Sequence, residues 1–208
     1  MTNMNKSVED SWEQGYKDIR TKDPFVWPDV DLIRLVSHLS LPDRPKILDF
    51  GCGEGRNTRF LIEKFNDGQF LCVDKSESAL QILNALYGDL VDSRRLSNEF
   101  ELEGTCQYDL IICWGVCHYL DDPEAFLRKL RLLMKSSGYL VISLKGETDA
   151  RPQMAESLHC WTEVSAENLI ERCGFRITES GSSLGVRRFP AKASWHNYWF
   201  AVTSAKEI

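Results

Sequence analysis

The chain has 208 residues, of which 43% are hydrophobic and 27% are charged. These values are ordinary for a globular protein, and the length suits one α/β domain better than two independent domains. The formal net charge of −6 disfavours nucleic acid as a partner, because binding to a polyanion depends on clustered lysines and arginines. We therefore expect a single domain over residues 1–208 with no nucleic-acid partner.

Signals for export or for membrane insertion are missing from the sequence. The first twelve residues, MTNMNKSVEDSW, lack the apolar segment of a signal peptide, and no run of 18 apolar residues occurs. The seven cysteines fall mainly in apolar segments without a C-x-x-C pair, which is typical of reduced, buried side chains. We expect a cytoplasmic protein without a membrane partner or a metal, either a monomer or a homodimer.

Helix and strand patterns alternate along the chain. Two helices are predicted first, at Val8–Asp18 and Asp29–Leu39, as a helical cap over residues 1–42 that lies across the open edge of a sheet. The elements predicted in the core, residues 43–208, are the strand Lys46–Phe50, the helix Gly55–Phe65, the strand Gln69–Val73, the helix Glu77–Leu86, a short strand near Asp92–Leu96, the strand Tyr108–Cys113, a helix from Pro123 that stops near Gly138, the strand Tyr139–Leu144, the helix Glu163–Cys173, and the strands Phe175–Glu179 and Tyr198–Thr203. This alternation predicts an α/β fold with a parallel sheet wrapped by helices.

The stretch ILDFGCGEGRNTRFL places a glycine-rich loop between the first strand and the helix that follows it. Glycines at the carboxyl end of a parallel strand allow positive φ and let backbone N–H groups at the helix start approach a ligand closely. They are Gly51, Gly53 and Gly55. Asp49 at the edge of this loop disfavours a diphosphate and favours an ammonium group. Asp74, at the end of the next strand, can accept hydrogen bonds from both hydroxyls of a ribose. The glycines and the acid alone also fit NAD.

Several motifs together resemble those of the class I S-adenosylmethionine-dependent methyltransferases. The glycine-rich stretch is similar to the family's first motif, FLCVDKSESAL to its second-strand motif, and YDLIICWGVCHYLDDPEAFLRKLRLLMKSSGYLVISLK to its fourth-strand and fifth-strand segment. LHCWTEVSAENLIERCGF and HNYWFAVTSAK are similar to its last helix and closing antiparallel hairpin. The resemblance implies a Rossmann-like sheet of seven strands, S-adenosylmethionine as the cofactor, and methyl transfer as the activity.

The resemblance also implies which positions bind the cofactor. The first-motif residues would line its methionine portion, with Asp49 near the amino group, and Asp74 would hold the ribose. Trp114 and the backbone of Gly115 would flank the sulfonium. The full expected set is Asp49, Gly51, Cys52, Gly53, Gly55, Asp74, Lys75, Ser76, Asn98, Trp114 and Gly115.

Two regions of the expected cofactor site surround the adenine. Lys75 and Ser76 would lie beside the ring. The family usually carries an acid or amide after the third strand that reads the adenine amino group. The candidates for this position are Ser97 and Asn98, with Asp89 and Asp92 as alternatives.

The methyl acceptor is expected close to the end of the fourth strand. His118, in GVCHYL, follows that strand, and it is a candidate for the catalytic base or for a substrate-binding residue, the alternative being a structural role at a helix start. His159 and His196 could also face this pocket. Tyr16 and Trp27, near the N-terminus, are expected either to line the acceptor pocket or to pack the N-terminal helices on the sheet.

The sequence indicates the chemical class of the methyl acceptor. After the fourth strand the sequence reads CWGV, where family members that methylate nucleic-acid bases usually carry Asn/Asp-Pro-Pro-aromatic. Together with the acidic charge, this favours an oxygen or nitrogen of a small molecule, and the pattern is most similar to bacterial enzymes of polysaccharide or secondary-metabolite pathways. A cofactor-binding regulatory or partner protein, a protein methyltransferase and an NAD-dependent oxidoreductase are the alternatives.

Overall fold

The computed structural model describes residues 13–17, 27–146, 159–187 and 193–205. Within them, seven strands form one sheet in the order β3-β2-β1-β4-β5-β7-β6. The strands are β1 (Lys46–Phe50), β2 (Gln69–Asp74), β3 (Asp92–Arg95), β4 (Tyr108–Cys113), β5 (Met134–Lys145), β6 (Phe175–Arg187) and β7 (Ala193–Ser204). The first five strands pair in parallel, and β7 runs antiparallel to both β5 and β6. The predicted Rossmann-like sheet with its closing antiparallel hairpin is confirmed.

Helices flank this sheet on both faces. They are α1 (Val30–Ser37), α2 (Arg56–Lys64), α3 (Glu77–Tyr87), α4 (Pro123–Leu133) and α5 (Glu163–Arg172), with short 3₁₀ turns at Gly88–Leu90 and Cys117–Tyr119. Residues 13–17 are also helical. The predicted helix starts are confirmed, since the side chain of Asp122 accepts a hydrogen bond from Ala125 N and that of Thr162 accepts one from Ser165 N.

The core is divided into two clusters by the alternation of side chains along each strand. On one face, Leu48 and Ile111 pack with the apolar side of α4 and α5. On the other face, Ile47 and Leu110 pack with α1, α2 and α3. Because both faces are covered, β1 and β4 are apolar almost throughout, as in other buried parallel strands.

The packing of α1 differs from the expected position at the open edge. Its buried residues, Leu32, Leu35 and Val36, join the core cluster that also contains Val141 and Ala201. The guanidinium of Arg34 lies 4.4 Å from the centroid of the Trp199 ring on β7. The helix therefore covers a face of the sheet at β5 and β7, because its apolar side can be buried there. Of the first predicted helix, Val8–Asp18, only residues 13–17 lie among the described residues.

The boundary between α4 and β5 lies earlier in the chain than expected. The helix ends at Leu133, and β5 begins at Met134 rather than at Tyr139. Tyr108 pairs with Met134 before the register shifts, so residues 135–138 form an irregularity within the strand. Backbone N–H groups of the segment before β4 donate to the carbonyls of Leu132 and Leu133, which satisfies the end of the helix.

Burial of the cysteines is only partly as predicted. Cys52, Cys72, Cys113, Cys117 and Cys173 are buried, whereas Cys106 and Cys160 are exposed, and all seven are free thiols. The two exposed residues lie in loops, where no apolar neighbours cover them. In the described part of the chain, none of the helices has the length and apolarity needed to cross a bilayer.

Candidate functional site

The glycine-rich loop after β1 adopts a conformation that favours glycine. Gly51 has φ +74° and Gly53 has φ +56°, both in the left-handed region. A Cβ at Gly51 would lie 2.3 Å from a methyl of Val116, and one at Gly53 would lie 2.5 Å from the hydroxyl of Tyr16. The expected positive φ values are confirmed, and side chains of two other elements approach the loop too closely for any other residue.

Backbone hydrogen bonds hold this loop against the end of β2. The N–H groups of Gly51 and Cys52 both donate to Val73 O, at 2.8 and 3.1 Å, and Gly55 N donates to Cys52 O at 3.0 Å. These donors are therefore engaged within the fold rather than directed at a ligand. The Cys52 side chain is buried, so only its backbone can border the site.

Asp74 connects the loops that follow β1 and β2. One carboxylate oxygen accepts a hydrogen bond from Gly53 N at 2.9 Å, and the other accepts one from Ser76 N at 2.8 Å. Burial raises the pKa of Asp74 above its ordinary value, although these backbone donors oppose the rise. The side chain is thus fixed at the carboxyl end of β2, as the sequence predicted for a ribose-binding acid.

Asp49 is more buried than Asp74. Its side chain is 3% exposed, and it accepts a hydrogen bond of 2.6 Å from the hydroxyl of Thr58 on α2. Burial raises the pKa of Asp49 to about 6, and the negative charge of Asp74 contributes to the same shift. Two carboxylates that repel each other at neutral pH create a region that is stabilised by a bound cation.

Asn98, the expected adenine contact, makes local hydrogen bonds in this structure, and its contact with an adenine stays a prediction. The Asn98 side chain is exposed, donating to Glu101 at 3.0 Å and accepting from Phe100 N at 2.9 Å, so a local turn occupies its hydrogen-bonding groups. Ser97 also binds Glu101. The other candidates, Asp89 and Asp92, are exposed as well.

Glu99 is a buried acid in this region, and it is not among the residues predicted from the sequence. Its side chain is 11% exposed, and an oxygen of its carboxylate lies 3.6 Å from Lys75 Nζ. A signal was present, because Glu99 lies midway between Leu96 and Leu102, three residues from each, and all three side chains are buried. Lys75, expected beside the adenine, is therefore held next to a buried carboxylate.

The helical residues 13–17 lie over the start of α3. The carboxylate of Glu13 accepts hydrogen bonds of 2.6 Å from the hydroxyls of both Ser76 and Ser78, and a third from Ser78 N at 3.3 Å. These hydrogen bonds lower the pKa of Glu13 to about 2. The N-terminal segment is thereby tied to the loop that carries the expected adenine-binding residues.

Tyr16, in the same segment, lies at the glycine-rich loop rather than on the acceptor side. Its hydroxyl approaches Gly53, and the side chain interacts with Glu54. Burial and the negative charges of Glu54 and Asp74 raise the pKa of Tyr16. The expected acceptor contact is thus replaced by a contact beside the predicted methionine-binding loop, because Glu13 fixes the direction of the helix.

The end of β4 forms the opposite wall of the site. Trp114 is 9% exposed and belongs to the core cluster of α1, α2 and α3. Gly115 follows with φ +75°, and its N–H donates to Ser143 Oγ at 2.8 Å. A Cβ built at Gly115 would meet no atom within 4 Å, so this stretch of backbone borders open space.

His118 occupies the 3₁₀ turn Cys117–Tyr119. It is 8% exposed, its ring centroid lies 4.0 Å from that of Tyr119, and its Nδ1 has no hydrogen-bond partner among the described residues. Burial lowers the pKa of His118 to about 3, with smaller contributions from Lys145 and His159. The ring is therefore neutral at pH 7 and is a weak base.

His159 lies next to His118, whereas Trp27 does not contribute to this group. His159 N donates to the carbonyl of His118 at 3.2 Å, and its ring stacks on Trp161 at a centroid distance of 5.8 Å. Trp27 is 83% exposed, and its contact with an acceptor stays a prediction. His196 is also exposed and stacks with Tyr198.

Comparisons with known proteins agree with this geometry. A family model described as a methyltransferase domain matches residues 48–140. A malonyl-[acyl-carrier protein] O-methyltransferase of Magnetococcus marinus is 28% identical over 76% of the chain and 52% of its own length. A trans-aconitate 2-methyltransferase of Acidovorax ebreus is 42% identical over 32% of the chain and 23% of its own length. The chain thus spans about half, or less, of these curated relatives.

Solved structures show the same fold. A crystal structure of Burkholderia thailandensis 1,6-didemethyltoxoflavin-N1-methyltransferase, with bound 1,6-didemethyltoxoflavin and S-adenosylhomocysteine, superposes with a TM-score of 0.74 and 20% sequence identity. The match covers 97% of this chain and 87% of that one. The antiparallel hairpin β6–β7 is part of this match, and a simple dinucleotide-binding domain would lack it.

Proposed function

We propose that this chain, which belongs to the class I S-adenosylmethionine-dependent methyltransferase family, transfers a methyl group from S-adenosylmethionine to an oxygen or nitrogen of a small molecule. The observation that carries the proposal is the pair of buried carboxylates, Asp49 and Asp74, at the carboxyl ends of two neighbouring strands. A pyrophosphate would be repelled by this pair, whereas a cationic amino-acid nucleoside is stabilised by it.

The residues at this end of the sheet fit the family's cofactor. Gly51 and Gly53 leave a side-chain-free bend, and Asp74 presents a carboxylate fixed by two backbone donors to the hydroxyls of a ribose. Glu99 with Lys75 forms the polar wall expected near an adenine. Asp49 lies where an ammonium group would offset its charge.

The cofactor supplies a methyl group that is already electrophilic because the sulfur carries a positive charge. The protein's own contribution is to align the acceptor and to exclude water, which can supply about 7–11 kcal/mol in favourable cases. Trp114 and the open backbone of Gly115 border the place between the cofactor-binding loop and His118. His118, with His159 behind it, would face the acceptor.

Small-molecule acceptors are supported by the similarity to enzymes named for such substrates. We propose a role in polysaccharide or secondary-metabolite biosynthesis, which rests on sequence resemblance alone. The proposed protein is one methyltransferase domain over residues 1–208, with residues 1–42 as a helical cap. Free, buried thiols support a reducing, cytoplasmic compartment. Either a monomer or a homodimer is compatible with this proposal.

The test is to measure cofactor binding by calorimetry and S-adenosylhomocysteine formation with a panel of small acceptors. Binding with turnover supports the proposal. Binding without turnover on small molecules, alcohols, amines and acids alike, favours the alternatives of a regulatory cofactor-binding protein or a protein methyltransferase. Absence of binding to S-adenosylmethionine, in a protein shown to be folded, rejects the proposal.

A further inference from the structure

A single helical turn near the N-terminus contacts both loops of the candidate cofactor site. In the helical segment 13–17, the carboxylate of Glu13 accepts hydrogen bonds of 2.6 Å from two serine hydroxyls at the start of α3. One turn later, the hydroxyl of Tyr16 lies against Gly53, in the loop after β1. Residues three apart in a helix lie on the same face, so this face of the segment bridges the loops after β1 and β2.

Asp74 lies between the two contacts made by this turn. One of its carboxylate oxygens accepts a hydrogen bond from the N–H of Gly53, the residue against which Tyr16 lies. The other oxygen accepts one from the N–H of Ser76, whose hydroxyl donates to Glu13. The turn is therefore next to the acid proposed to hold the ribose and next to the bend proposed to hold the amino-acid portion of the cofactor.

The phenol of Tyr16 is placed to accept a hydrogen bond from a cation. The side chain is partly exposed, so it is not sealed in the core. Its hydroxyl forms a hydrogen bond with the carboxylate of Glu54, and the phenol is the donor, because a carboxylate offers only acceptors. The phenol oxygen keeps its lone pairs for another donor. The nearby negative charges of Glu54 and Asp74 favour a cationic donor at this position.

We infer that Tyr16 is a further cofactor-binding residue, whose oxygen accepts a hydrogen bond from the ammonium group of S-adenosylmethionine, and that Glu13 is the residue that positions it. This inference rests on the proposed methyltransferase function, under which the amino-acid portion lies along the bend at Gly53. The segment 13–17 then closes the site over the bound cofactor. The segment contributes binding energy through Tyr16, and Glu13 keeps it in place.

The first experiment compares two ligands that differ in one group. S-Adenosylhomocysteine carries the amino group, and 5′-S-(3-carboxypropyl)-5′-thioadenosine is the same molecule without it. Calorimetry, with competition titration for the weaker ligand, gives both affinities for the wild type and for Tyr16→Phe. The substitution should weaken S-adenosylhomocysteine binding about 10- to 100-fold, the range for a hydrogen bond to a charged group, and change binding of the amino-free ligand less than about twofold.

The outcomes of this comparison separate the inference from the general function. Equal losses for the two ligands would mean that Tyr16 maintains the shape of the site without contacting the amino group, and they overturn the inference. Unchanged affinity for both ligands in Tyr16→Phe also overturns it. In either case, S-adenosylmethionine binding and turnover by the wild type leave the methyltransferase function standing. A folded wild type that binds neither S-adenosylmethionine nor S-adenosylhomocysteine rejects the function and the inference together.

The second experiment tests the positioning role of Glu13. Glu13→Ala should lower the affinity for S-adenosylhomocysteine at least as much as Tyr16→Phe does, and the double variant should bind no more weakly than Glu13→Ala, because both changes remove the same contact. Glu13→Gln keeps an acceptor oxygen for the serines and should recover most of the affinity. The control is Lys17→Ala, since the exposed ion pair of Lys17 contributes little.

The double variant and the glutamine variant decide whether the two residues act together. Circular dichroism confirms that each variant is folded. Additive losses in the double variant would mean that Glu13 and Tyr16 act separately, and they overturn the positioning role. A Glu13→Gln variant that binds as weakly as Glu13→Ala overturns it as well.

Discussion

The carboxylate of Asp74 accepts a hydrogen bond of 2.9 Å from the backbone N–H of Gly53, which joins the loops that follow β2 and β1. Because the two loops belong to neighbouring parallel strands, this contact and the hydrogen bonds of Gly51 and Cys52 to Val73 O together fix the width of the candidate cofactor site between them. The other carboxylate oxygen of Asp74 accepts a hydrogen bond from the backbone N–H of Ser76, the residue just before α3. Loss of Asp74 should therefore alter both the shape of the site and its charge.

Asp74→Ala should weaken S-adenosylmethionine binding at least about tenfold, because it removes hydrogen bonds to a charged group that are each worth about 1.5–3 kcal/mol. Calorimetry measures the affinity, and circular dichroism confirms that the variant is folded. Wild-type affinity in the folded variant would contradict the assignment of Asp74.

Gly53→Ala should also abolish most of the binding, since its Cβ would lie 2.5 Å from the Tyr16 hydroxyl. The matched control is Gly88→Ala, which shares the positive φ but has no atom within 4 Å of the added Cβ. Gly88, with φ +47° and ψ −123°, strains any residue that carries a Cβ. Calorimetric binding by Gly88→Ala therefore shows what backbone strain away from the loop does by itself. Equal losses in the two would show that the contact with Tyr16 is unimportant.

Asp49→Asn should stabilise the ligand-free protein while it weakens cofactor binding. The pKa of Asp49 in the folded protein, about 6, lies above the ordinary 3.8, so the folded state holds this proton more strongly than the unfolded state. The stability of the wild type therefore falls as pH rises from about 4 to 6 and the proton is released. Above pH 6, the free energy of unfolding of the variant should exceed that of the wild type by up to about 3 kcal/mol, since one pKa unit corresponds to about 1.36 kcal/mol. The amide of the variant keeps an acceptor for the Thr58 hydroxyl. Denaturant unfolding at pH 4 and 8 measures this difference.

The control for this prediction is Asp43→Asn, at an exposed position. It should change stability little at either pH. A destabilised Asp49→Asn variant at pH 8 would mean that the ionised carboxylate is stabilising, and it would contradict the proposed demand for a cation.

Glu13→Ala should release the N-terminal segment, because it removes hydrogen bonds to Ser76 and Ser78. We expect faster amide exchange in residues 13–17 and dissociation of the cofactor roughly tenfold faster. The lowered pKa of about 2 means that this contact is fully present above about pH 4.5 and is lost only as pH falls through 2. Lys17→Ala is the control, since Lys17 is an exposed residue that makes an i,i+4 ion pair with Glu13. Equal exchange and dissociation rates in the two variants would argue against docking through Glu13.

His118 should remain neutral down to about pH 4 in the folded protein. Because its folded pKa of about 3 lies below the ordinary 6.5, the unfolded state binds more protons between these values, and stability falls as pH decreases through this window. Between pH 6.5 and 4.5, the free energy of unfolding of the wild type should fall by about 2 kcal/mol more than that of His118→Asn. Denaturant unfolding measures the loss, and NMR of the imidazole carbons measures the titration directly. Titration of His118 near pH 6.5 would contradict the buried position.

The parallel half of the sheet could be predicted closely because burial on both faces leaves a continuous apolar signal. β1 and β4 begin and end where the sequence places them, and the short β3 was located from the spacing of its neighbours. The sequence predicts shorter hairpin strands than the structure has. β6 and β7 extend through polar residues such as those of 179–183, since their backbones pair with each other whatever the side chains are.

The residues of the candidate site also divide into those whose positions the sequence predicts and those whose positions it does not. The positions of Asp49 and Asp74 near the ends of β1 and β2 could be predicted because the glycine pattern marks where the first strand ends. Asn98 is exposed and the adjacent Glu99 is buried, because a local turn decides which side chain points inward, and the sequence does not show this turn. Tyr16 approaches the glycine loop through the long-range contact of Glu13 with α3, which no local pattern encodes.

The stacking of Arg34 on Trp199 joins the beginning of the chain to its last strand. During synthesis, α1 leaves the ribosome before β1, yet the strand it must cover is made last. The apolar side of α1 therefore stays exposed until almost the whole polypeptide has emerged from the ribosome. A chaperone that holds this helix during translation should raise the yield of folded protein, and truncation within β7 should leave α1 without a place to dock.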